Sequence, residues 1–141
     1  TSHKRQQGRD ETAVLDFQKQ MAWEKMFYEM GGKLLAGTDP TGAGRTIAGY
    51  ANQRMIELFI EAGFSLTEAI KISTLDGAKF LERADKVGSL EVGKQADILI
   101  INGDLEADIS NIRKMEIVFK DGVGFNSPAI FKSMNGKVGM Y

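Results

Sequence analysis

The chain has 141 residues, 43% hydrophobic and 26% charged, an ordinary composition for a soluble globular protein with one domain and a real core. With 18 Lys and Arg against 19 Asp and Glu the formal charge is −1, which removes the bulk electrostatic footprint of a nucleic-acid binder. The absence of cysteine excludes disulfides, thiolate metal sites and a cysteine nucleophile, and no stretch reaches the roughly 18 apolar residues of a membrane helix, so no membrane partner is expected.

Residues 1–11 are polar and are expected to be loop or frayed. Their basic cluster, His3-Lys4-Arg5 with Arg9, is answered at once by Asp10 and Glu11 and reads as a solvated end. His3 is the one histidine of the chain, and its neighbours offer neither further ligands nor a hydrogen-bonding shell for a metal. Residues 12–30 read as a long helix with two apolar stripes, Val14, Phe17, Met21 and Tyr28 on one and Trp23, Phe27 and Met30 on the other. Such a helix must be covered on two sides, so its methionines and Trp23 are expected to pack rather than to form a binding box. Gly31-Gly32 ends it and leads into Lys33-Leu34-Leu35-Ala36-Gly37, a short apolar run without alternation between glycine breakers, which reads as a strand buried on both faces.

At the C-terminal end of that run stands Asp39, preceded by Thr38 and followed by Pro40. In α/β folds the C-terminal ends of parallel strands gather the reacting groups, because the loops there converge on a crevice. Asp39 is therefore the first functional candidate, with an N-cap role, Pro40 in the first helical position, as the plain alternative. Residues 39–46 resemble a phosphate loop only superficially: the first glycine is missing, Arg45 replaces lysine, and an acid in the cradle repels phosphate. Arg45 itself reads as a solvated arginine.

A second helix is predicted over 50–62, with Met55, Ile56, Phe59 and Ile60 inward and Asn52, Arg54, Glu57 and Glu61 on the polar face. Ser65-Leu66-Thr67-Glu68 is a capping box that starts a third helix running to about Ser73, and Thr74 or Asp76 is expected to cap a fourth through Leu81. Beyond residue 84 the composition changes. Val87–Lys94 is a short alternating piece with glycines at 88 and 93, and Ala96–Ile101 is the strongest strand signal in the chain, ended by Asn102-Gly103. Asp97 is expected to bridge a turn. A strand at 115–120 folds back through Asp121-Gly122, a type I′ turn pair, into 123–125. Ser127-Pro128 then provides an N-cap and first residue for a short helix through Met134.

In this order, four segments resemble the C-terminal portion of the amidohydrolase superfamily, in particular its imidazolonepropionase-like and prolidase-like members. They are Leu35-Ala36-Gly37-Thr38-Asp39, Phe59 through Ile70, Ser73 through Leu81, and Val87-Gly88-Ser89-Leu90-Glu91-Val92-Gly93-Lys94-Gln95-Ala96-Asp97-Ile98-Leu99-Ile100. The resemblance runs from residue 33 to about 125. It implies an α/β fold, the C-terminal fragment of a (β/α)8 barrel plus the returning half of its β-sandwich: residues 1–85 with the last barrel strand and its flanking helices, and 86–141 as a small sandwich segment with a terminal helix. It also implies hydrolysis of a C–N bond in a cyclic amide or dipeptide-like small molecule, with Asp39 as metal ligand and general base. The cofactor so implied is a divalent metal, zinc or similar, in the intact enzyme.

The chain departs from that pattern in its donors, since a complete site draws several histidines from earlier strands and often a carboxylated lysine. A complete barrel takes about 250 residues. The helix after strand eight often opens with a histidine where Asn52 and Gln53 stand here. The expectation is a piece of a longer enzyme, its natural start upstream of Thr1, binding no metal and hydrolysing nothing by itself. A homo-oligomer, or a complementary N-terminal chain as partner, is expected, because an isolated barrel strand and a two-sided helix expose large apolar side chains. The rival is a non-catalytic interaction or oligomerisation domain. The cytoplasm is the favoured compartment, with the periplasm and the exterior left open.

Overall fold

A computed structural model describes residues 2–39, 46–47 and 49–137. Helix α1 spans Ser2–Glu29, ten residues longer at its start than the apolar stripes suggest. Lysine, arginine, glutamine and glutamate are good helix formers, so a polar end need not be a loop. The side chain of His3, and with it any test of its role, lies outside the described residues.

Gly31, with φ of 89°, ends α1 in the left-handed region that a helix C-terminus favours. The chain then runs on without regular secondary structure through residue 39. The strand expected at 33–37 is not assigned, for a physical reason. A strand is defined by its ladder, and among the described residues no strand pairs with this segment and no backbone hydrogen bond involves it. Leu34 still packs against the main core, while Leu35 is 42% exposed.

Helix α2 spans Tyr50–Glu61, and α3 (Leu66–Lys71) opens with the capping box read from the sequence. The Ser65 side chain accepts from the Glu68 amide, and the Glu68 carboxylate accepts from the Ser65 amide at 2.8 Å. No break separates a third from a fourth helix. A π-helical turn, Ile72–Asp76, carries α3 directly into α4 (Gly77–Phe80). Thr74 is not a cap: its hydroxyl donates back to the Ile70 carbonyl at 2.7 Å, the side-chain competition that loosens a helix turn. Asp76 makes no capping bond either and instead pairs with Lys71.

The core lies where these helices meet. Phe59, Phe64, Ala69 and Ile72 are buried, with Tyr28, Leu34, Met55, Ile56 and Ile60 packed around them. Phe64 meets the Tyr28 and Phe59 rings edge-on at 5.4 and 5.3 Å between centroids, an arrangement that suits the ring quadrupoles. Among the described side chains of α1, Tyr28 near its C-terminal end packs on this core. Trp23 and Met30, expected to be covered, are 66% and 80% exposed.

The second half is a three-stranded antiparallel sheet in the order β1 (Ile98–Ile101), β2 (Met115–Lys120), β3 (Val123–Asn126). Asp121 and Gly122 both have positive φ, 52° and 80°, as the predicted type I′ hairpin turn requires. Asp97 bridges that turn as expected, accepting from the Asp121 amide at 2.8 Å and from Lys120 Nζ at 2.6 Å. A 3-10 turn, Ile109–Arg113, is capped by Asp108 and leads into β2. Helix α5 spans Ser127–Met134, and its N-cap is Asn126 rather than Ser127: the Asn126 side chain accepts from the Ala129 amide at 2.9 Å, and Ser127 is buried. No helix among the described residues is long and apolar enough to cross a membrane.

Candidate functional site

Asp39 lies at the end of the irregular segment after α1, is exposed, and has φ of 40°. The left-handed region is uncommon for a residue with a Cβ, although aspartate tolerates it better than most. Its neighbour Thr38 is half-buried and donates from Oγ1 to Oδ1 of Asn52, on the first turn of α2, at 3.3 Å. Pro40 and Arg45 lie outside the described residues, and so do most of the phosphate-loop-like stretch and the helix that an Asp39 cap would open.

Beside this segment end lies an open depression of about 540 Å³, bounded by Gly37, Thr38, Ile47, Tyr50, Arg54 and Arg113. Its floor is largely aliphatic and its charged wall is a closed cluster. Arg113 reaches across from the 3-10 turn and holds the Glu57 carboxylate with two parallel bonds, Nε to Oε1 at 2.6 Å and Nη2 to Oε2 at 2.8 Å. Arg54 donates to Glu57 Oε2 at 3.2 Å and to both carboxylate oxygens of Glu61.

Glu57 is only 7% exposed, yet its carboxyl is held below the usual glutamate range, first by the Arg113 hydrogen bonds, which outweigh burial, and then by Arg54. Glu61 is lowered by Arg54, while Arg113 and Arg54 are raised in turn, chiefly by Glu57 and Glu61 respectively. Two guanidiniums balanced by two carboxylates form a charge-neutral cluster rather than an anion receptor.

The sequence reading placed Glu57 on a polar outer face and did not single out Arg113. Spacing within α2 does align Arg54, Glu57 and Glu61, but nothing local marks a partner 56 positions away. Asn52 was noted for its place on α2, not for its contact with Thr38.

Metal chemistry needs more donors than this site contains. The described residues hold no group of three His, Cys, Asp or Glu side chains that could bind a metal ion. Catalytic metal sites use about three protein ligands, so Asp39 alone does not make one, and the donors among the described residues do not fit a metal centre.

Helices packed beside a three-stranded antiparallel sheet are consistent with part of an α/β fold. The chain belongs to the Amidohydrolase family, which it matches over residues 18–132. It is 55% identical over 40 residues to the imidazolonepropionase of Bacteroides thetaiotaomicron, a match covering 28% of this chain and 10% of that protein. Against the imidazolonepropionase of Clostridium tetani it is 27% identical over 115 residues, covering 79% of this chain and 27% of the other. In three dimensions it is similar to a Xaa-Pro dipeptidase crystallised with methionine in its active site, with a TM-score of 0.67 and 32% identity over 78% of this chain and 25% of that one. The chain thus spans about a tenth to a quarter of the length of these relatives.

Proposed function

We propose that this chain supplies the C-terminal strand end and the returning sheet of an amidohydrolase that cleaves C–N bonds in cyclic amides or dipeptide-like substrates. In the assembled enzyme Asp39 is the general base. Water attacks the carbonyl carbon, its proton passes to the Asp39 carboxylate and then to the departing nitrogen, and the C–N bond breaks. A divalent metal held in the assembled enzyme would take Asp39 as one ligand and would lower the pKa of the attacking water, with its other ligands drawn from other segments. The observation that supports this reading is the position of Asp39 just after the apolar run 33–37, within the span that matches the family. On this reading the 141-residue chain is inactive by itself, because other chain segments complete its site.

A chimera tests it: residues 18–132 replace the matching part of a Xaa-Pro dipeptidase, and hydrolysis of a Xaa-Pro dipeptide is followed. The folded chimera should turn over substrate, and Asp39→Asn should lower kcat by about 10²–10⁴-fold. A chimera equally active with asparagine at this position would refute the role of Asp39.

One observation favours a second reading, an interaction domain. The unpaired backbone of residues 33–37 flanks an apolar groove of about 300 Å³ lined by Phe17, Met21, Leu34, Leu35 and Phe59. We propose that in isolation a second copy of the chain covers this groove, because unpaired backbone beside exposed apolar side chains is a template for pairing.

A further inference from the structure

We propose that Asn52 is a positioning residue for the Asp39 carboxylate, acting through Thr38; the proposal deepens, and rests on, the reading of Asp39 as the reacting acid. The segment from 33 to 37 has no backbone hydrogen bonds among the described residues, so a ladder does not fix the direction in which the chain leaves residue 38. The bond from Thr38 Oγ1 to Asn52 Oδ1, at 3.3 Å, ties that end to α2 across 14 positions of sequence. An acid in the left-handed region, as Asp39 is at φ of 40°, holds that conformation when its surroundings over-determine it.

Asn52 is suited to the task because its helix is itself anchored. The first turn of α2 is closed by the Ala51 amide on the Ile47 carbonyl at 3.0 Å, and further along Glu57 is held by Arg113. Nor is Asn52 occupied as a cap: Gly49 is the N-cap of α2, and no side-chain hydrogen bond caps that end. An asparagine in the first turn would ordinarily compete for the helix's own backbone. Here its oxygen faces the residue before Asp39. The geometry required is an acceptor at position 52 and a hydroxyl at position 38, so aspartate and serine respectively should serve in their places.

Amide ¹⁵N relaxation on the 141-residue chain reads the effect without any need for turnover. The Asp39 amide should show an order parameter near about 0.85 in the wild-type chain, falling below about 0.6 in Asn52→Ala and in Thr38→Val. Asn52→Asp and Thr38→Ser should restore the wild-type value, and the Asn52→Ala/Thr38→Val double variant should be no looser than either single. Thr38 lies outside every helix, so its variants test the link even if Asn52→Ala weakens α2. An Asp39 amide already disordered in the wild type, unchanged in the two deletions, or not restored by the conservative replacements would overturn the proposal. Loss of the Asp39 effect in the chimera would remove the catalytic reading while leaving this relaxation result intact, so the two failures are distinguishable.

Discussion

Arg113 and Glu57 join the two halves of the molecule through a bidentate pair, 2.6 and 2.8 Å long, between a 3-10 turn ahead of β2 and the middle of α2. Because the Glu57 carboxyl is held below its ordinary value of 4.5, the folded state binds its proton more weakly than the unfolded state does. The resulting stability is fully present above about 4.5 and is lost as the pH falls through the lower folded value. Glu57→Gln should therefore lower Tm by roughly 5 °C at pH 7. Arg113→Ala should also lower it. Thermal melts across pH 3–8 check the sign, and for both variants the gap from wild type should close on the acid side. A gap that widened there would mean that the pair does not stabilise the fold.

The capping box makes a second, independent prediction. Ser65→Ala removes the acceptor for the Glu68 amide and leaves α3 with one unsatisfied donor. Urea unfolding should show a loss of about 1 kcal/mol. Ser65→Asp should recover most of it, since a carboxylate accepts the same bond.

Gly88 tests the packing of the turn against the helices. Its φ is 92°, and a Cβ there would stand 2.7 Å from the Ala78 Cβ and 3.1 Å from the Leu75 Cα. Backbone strain and a clash with the Ala78 methyl act together, so Gly88→Ala should destabilise by about 1–3 kcal/mol in the same assay. Gly93 has a similar φ of 94° but open space around its Cβ position, so Gly93→Ala should be the milder of the two.

The uncovered surface predicts self-association. Val14, Trp23, Phe27, Met30 and Leu35 are all exposed, and burying a large apolar side chain contributes about 1.5–3 kcal/mol. Light scattering at micromolar concentration should show an oligomer, with Leu35→Glu shifting it toward monomer. A monodisperse monomer would remove the pairing argument.

The parts of this fold that were legible in the sequence are those set by neighbours along the chain. Ser65 and Glu68, three positions apart, specify a helix start, and Asp121-Gly122 between two apolar runs specifies a hairpin, because each signal closes within one turn of backbone. Asn126 took the cap assigned to Ser127, a shift of one position that two adjacent capping residues permit. The state of residues 33–37 depends on partners for a ladder, which local pattern cannot supply. The burial of Glu57 depends on an arginine brought to it only by the tertiary fold. Asp39 stands out in the sequence as an acid after a short apolar run, whereas the bond between its neighbour Thr38 and Asn52 depends on the approach of α2.

The most direct measurement of the central claim, that Asp39 is one carboxylate of a site completed by other chain segments, is calorimetric titration of Zn²⁺ into the 141-residue chain beside its Asp39→Asn variant. The account predicts no stoichiometric uptake by either. Tight one-to-one binding by the wild type, abolished in the variant, would contradict it by showing that the chain assembles a metal centre of its own.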